Sequence, residues 1–68
     1  MRCVSRNDLK KVLIKFNDEN LFVRLAKKSE INRQRFNRLY FKKPFKSWTN
    51  EEKENLLAYM LGFNIIEG

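Results

Sequence analysis

Four apolar residues near the start of the chain, Leu9, Val12, Leu13 and Phe16, recur at i, i+3, i+4 and i+7. That is one buried stripe of an amphipathic helix, predicted over residues 6–16. Ser5, with Asp8 three positions on, has capping-box spacing with Asp in place of Glu. The polar break Asn17-Asp18-Glu19-Asn20 offers several N-caps for a second helix over residues 19–28, with Phe22, Leu25 and Ala26 inward. Ser29-Glu30-Ile31-Asn32 reads as a short turn, and Asn32 caps a third helix over residues 33–41 that points Phe36, Leu39 and Tyr40 inward. Pro44 stops any regular helix there, because it lacks a backbone donor and disfavours helical geometry in the residue before it. Thr49 and Glu52 form the clearest capping box in the chain. Leu56, Leu57, Met60 and Leu61 give the stripe of a fourth helix, and Gly62 supplies its left-handed end. The remaining tail is too short for another full helix. The pattern therefore predicts an all-α chain: a compact bundle of four, at most five, short helices in one domain over residues 1–68.

Composition narrows the chemistry. Cys3 is the only cysteine and there is no histidine. A disulfide framework needs paired cysteines and a structural zinc site four Cys or His ligands, so neither is expected, and a reducing, cytoplasmic setting fits best. No metal or cofactor is expected. The longest apolar run, Leu56 to Leu61, is far short of the roughly 20 residues that cross a bilayer, and the polar N-terminus lacks a signal-peptide core. Without a histidine base or a glycine-rich phosphate cradle, an enzyme is not expected. The acidic residues Glu51, Glu52 and Glu54 suit the positive end of a helix dipole better than acid–base catalysis.

Charge is more informative than composition. The chain carries a net +7. Residues 24–46 hold nine of the basic side chains (Arg24, Lys27, Lys28, Arg33, Arg35, Arg38, Lys42, Lys43, Lys46) against Glu30 alone, a local net of +8. Solubility does not require such concentration; a one-sided positive field is the footprint of a polyanion binder.

The charged third also holds the most suggestive spacing. A helix-turn-helix unit needs a small residue where the helices cross, apolar anchors on both and a turn of about three or four residues. Leu25 anchors, Ala26 permits close approach, Ile31 plugs the turn, and Phe36 and Leu39 anchor the following helix. The stretch Leu25–Leu39, LAKKSEINRQRFNRL, resembles the helix-turn-helix of the Cro/phage-repressor family. Leu57–Phe63, LAYMLGF, resembles the helix that follows the motif in that family, and together the likeness covers about two-thirds of the chain. Glu30 stands where the family has its turn glycine, and Leu21-Phe22 where a phosphate-touching polar pair opens the second helix.

The resemblance implies a phage- or plasmid-type transcriptional regulator that binds double-stranded DNA, with the helix at 33–41 in the major groove and a homodimer on an inverted repeat as an option. Arg33, Gln34 and Arg38 fall on positions that touch base edges, and Asn32 on one that touches phosphate. Asn37 and Phe41 face outward beside the base-edge group, and Arg35, Lys42, Lys43 and Lys46 are placed to contact the backbone. Arg pairs bidentately with guanine, and Gln or Asn with adenine. The alternative is a small basic interaction module on the same fold, presenting arginines to an acidic protein partner. The aromatics Tyr40, Phe41, Phe45 and Trp48 are expected mainly to pack between the third and fourth helices, with stacking on single-stranded bases as the competing role.

Overall fold

A computed structural model describes residues 2–67, apart from the side chains of Glu30, Ile31 and Asn32. Strand β1 (Arg2–Ser5) leads into helices α1 (Arg6–Phe16), α2 (Glu19–Lys28) and α3 (Glu30–Lys42). A 3-10 turn at Phe45–Ser47 follows, then α4 (Asn50–Leu61) and strand β2 (Phe63–Ile66). The expected four helices are present, but the chain is not purely helical: β1 and β2 pair in parallel, in the register Arg2↔Phe63 to Ser5↔Ile66.

Local chemistry sets most of the boundaries. The Ser5 hydroxyl accepts from the Asp8 N–H at 3.2 Å, and the Asp18 carboxylate from the N–H groups of Asn20 and Leu21, covering backbone donors that have no partner within the helix. Thr49 and Glu52 exchange both bonds of the capping box. Gly62, at φ +80°, ends α4 and turns the chain into β2.

The α2–α3 junction departs from expectation. The turn expected over Ser29–Asn32 is absent, because α3 already begins at Glu30 and Ser29 alone separates the two helices. The Ser29 N–H closes α2 on the carbonyls of Leu25 and Ala26. With no glycine or proline in Glu30-Ile31-Asn32, the chain re-enters helical geometry at once. Among the described residues only Gly62 has a positive φ, so no sharp left-handed turn is made at Glu30. The expected plugging by Ile31 and capping by Asn32 lie outside the described side chains.

The core is built on aromatics. Phe22, Phe36, Phe45 and Trp48 are buried with Leu13, Ala26, Leu56, Leu57 and Met60. Trp48 sits at its centre, with ring centroids 4.9 Å from Phe45, 5.7 Å from Phe36 and 6.0 Å from Phe22. Its indole N–H donates to the Lys43 carbonyl at 3.1 Å, satisfying the one polar atom of a buried ring. Phe45 and Trp48 thus take the packing role expected of them.

Four residues expected to pack inward do not bury; one is Phe41, on the side of α3 turned away from the core. Phe16 and Leu61 are the last residues of their helices and stay about half exposed. Tyr40 lays its ring against Phe36 and Trp48 but carries its hydroxyl out to the Glu19 carboxylate. In the opposite sense, Lys53 and Glu54 are buried. Lys53 lies one turn before Leu56 and Leu57 on the same stripe. Its ammonium donates to Asn17 at 2.9 Å and sits 4.7 Å from the Phe45 ring centroid.

Candidate nucleic-acid interface

The rotation of α3 about its own axis decides what it presents. Phe36, 3% exposed, is wedged against Trp48 with the ring planes at 76°, and Leu39 packs beside it half-buried. At about 100° per residue, Gln34 and Arg38 then lie roughly 160° from Phe36, and Phe41 about 140°. These three form the outward ridge of the helix, and all three are exposed.

On the flanks of that ridge two arginines are engaged with neighbours. On the α2 side Asn37 is exposed, and the exposed Arg33 donates to the Lys27 carbonyl at 2.8 Å. That carbonyl lies in the last turn of α2, where backbone acceptors have no partner within the helix. On the α4 side the Arg35 guanidinium stacks over the Tyr59 ring, 4.2 Å from its centroid. Lys42 and Lys46 are exposed. Lys43 turns instead to α4 and binds both oxygens of Glu52, at 3.0 and 3.1 Å. The Glu52 carboxyl is held below its ordinary range, first by the Thr49 backbone N–H and then by the Lys43 ammonium. The structure therefore gathers Gln34, Asn37 and Arg38 on one open face, with Arg33 at its margin. It directs Arg35 and Lys43 towards α4. Asn32 lies outside the described side chains.

The charge environment is one-signed. From residue 31 to residue 50 there is no acidic residue, while Arg33, Arg35, Arg38, Lys42, Lys43 and Lys46 all fall within that span. The Glu52 carboxylate that pairs with Lys43 comes from α4, beyond it. Among the described residues Arg38 makes no hydrogen bond or ion pair, which leaves its five donors open to an incoming acceptor.

Two ion-pair arrangements were not foreseen from the sequence. One is the pairing of Lys43 with Glu52, nine residues on, which the spacing of a loop and a helix N-terminus does not encode. The other lies on the far side, where Arg6 at the start of α1 bonds Glu54 at 3.2 Å and Asn55 at 2.8 Å and pairs with Glu67 beyond β2. The Arg6 contact lowers the pKa of Glu67 and raises that of Arg6 itself. Three of the acidic side chains of the C-terminal third are in this way consumed by internal partners.

Among the described residues no group of His, Cys, Asp or Glu is placed to hold a metal ion, and no helix is long and apolar enough to cross a membrane. Cys3 is exposed and unpaired in any disulfide. Compared with family models, curated proteins and solved structures, the chain matches none.

Proposed function

We propose that this chain is a sequence-reading, double-stranded DNA-binding regulator that lays the outward face of α3 in the major groove. In this reading α2 and α3 act as the helix-turn-helix pair of a phage-repressor-like domain, joined closely through Ser29. The observation that carries it is the face of α3. Gln34, Asn37 and Arg38 stand together in solvent, Arg33 lies at their edge, and Phe36 locks the rotation that keeps them there. An α-helix fits the major groove, and these residue types match the donors and acceptors that distinguish base pairs there. Lys42 and Lys46, just beyond, contact the adjacent phosphates and set the register.

The test is binding to duplex DNA across a salt series, after selection of preferred sequences from a random pool. If about five phosphates are neutralised, log K falls against log [salt] with a slope near −4.5. Affinity that ignores salt, or selection that enriches no sequence, overturns the proposal. An inverted repeat among the selected sites identifies a dimer, with half-sites about one helical turn apart.

A further inference from the structure

Among the described residues the most exposed large apolar side chain is Phe41, at 91%, and it stands on the outward ridge of α3 beside polar residues. Large apolar side chains exposed singly are common on proteins. Phe41 is set apart by its neighbours: it lies one turn beyond Asn37 and Arg38, at i+4 and i+3, and two turns beyond Gln34. It does not join the aromatic core, since Tyr40, Phe45 and Trp48 already fill the space between α3 and α4. The flanking charges are all positive, with Arg38 and Lys42 as its neighbours on the exposed face. A second copy of this chain would bring the same positive face against it, so like charges oppose self-association through Phe41. A polyanion that also offers an apolar surface suits both features. In the major groove the only apolar group on any base pair is the 5-methyl of thymine.

Resting on the DNA-binding reading of α3, we infer that Phe41 is a specificity-determining residue that packs on a thymine methyl group. Gln34 and Phe41 are separated by about 10 Å along the helix axis, roughly three base-pair steps. One helix face therefore carries a hydrogen-bonding reader at one end and an apolar reader at the other. The preferred site contains a thymine about three base pairs from the position read by Gln34.

The experiment uses the duplex enriched from the random pool, resynthesised with deoxyuridine in place of thymidine one position at a time. Uracil pairs as thymine does and lacks only the methyl. Wild-type protein loses about fourfold in affinity at one such position, the value of one buried methyl group. Phe41→Ala binds the thymidine and deoxyuridine duplexes equally, and Phe41→Leu keeps part of the preference. Because Phe41 is outside the core, both variants melt within a degree or two of wild type, and a melt run alongside separates lost recognition from lost fold. Wild-type binding indifferent to every substitution overturns this inference while leaving the DNA-binding reading intact. A concentration-dependent dimer that Phe41→Ala dissolves also overturns it, since the ring would then serve self-association. Enrichment of no duplex overturns both.

Discussion

The Phe36 ring meets the Trp48 indole edge-on, 5.7 Å between centroids, and this one contact fixes which face of α3 reaches solvent. Trp48 is itself anchored to the Lys43 carbonyl just past the end of α3, so the indole braces the helix from its own C-terminal side. Rotating α3 by even one residue position would carry Phe36 out of the core and bury part of the polar ridge.

Truncating that brace has a direct consequence. Phe36→Ala removes a fully packed aromatic ring and costs about 3–5 kcal/mol. A chain of this length holds roughly 3–10 kcal/mol in total. Phe36→Ala is therefore expected to lose a third or more of the stability and to melt far below wild type by circular dichroism, while Phe36→Leu loses much less. A Phe36→Ala protein as stable as wild type would contradict the packing described.

Lys43 offers a finer test, because its ammonium is already neutralised by Glu52. A lysine held in an ion pair releases no counterion to a phosphate unless the pair breaks. Lys42→Ala is expected to reduce the salt slope of DNA binding by about 1. Lys43→Ala should change that slope less, while loosening the junction between α3 and α4. Glu52→Gln frees Lys43 and should tighten binding to all duplexes alike. Equal slopes for Lys42→Ala and Lys43→Ala would show that Lys43 leaves Glu52 on binding.

Acid weakens the fold through two carboxyls. Glu52 and Glu67 both have folded pKa values below their unfolded ones, the first through Thr49 and Lys43, the second through Arg6. For a depressed carboxyl the stabilisation is complete above the unfolded value of about 4.3 and fades as pH falls through the lower folded value. Thermal melts are expected to be flat from about pH 7 to 5 and to fall below that. Glu52→Gln should lose the part of this decline that Glu52 contributes. A melting temperature that rises on acidification would contradict the assignment.

The buried Glu54 depends on Arg6 for compensation. Removing one partner of a buried pair is more damaging than removing both, because a charge is left without water or counter-charge. Arg6→Met is therefore expected to lower the melting temperature sharply, and Arg6→Met with Glu54→Gln to recover part of the loss. No recovery in the double variant would mean that Arg6 acts mainly through Glu67 or Asn55.

Elements whose signals are local were legible in the chain itself. The Ser5, Asp18 and Thr49 caps, Gly62 and the 3.6-residue stripes place α1, α2 and α4 at the boundaries expected of them. The β1–β2 pairing was not legible: four residues are too few for a periodic signal, and the partners lie about sixty positions apart. The early start of α3 was missed because Ser29-Glu30-Ile31-Asn32 has turn-like polar character. Its outcome depends on how closely α2 and α3 approach, which is a tertiary matter. The burial of Lys53 was not legible: it lies one turn before Leu56 and Leu57 on their stripe, but a charged side chain is buried only where it finds partners, here Asn17 and the Phe45 ring. On the candidate interface, exposure of Gln34, Asn37, Arg38 and Phe41 follows from the placement of Phe36. The diversion of Arg35 to Tyr59 and of Lys43 to Glu52 depends on where α4 lies.

Nuclear magnetic resonance titration of the labelled protein with its enriched duplex shows whether α3 is the element that meets DNA. The largest amide and side-chain perturbations are predicted along α3, at Arg33, Gln34, Asn37, Arg38 and Phe41, with weaker ones at Lys42 and Lys46. Perturbations confined to α1 or to the paired strands, with α3 silent, would contradict the DNA-binding reading of α3.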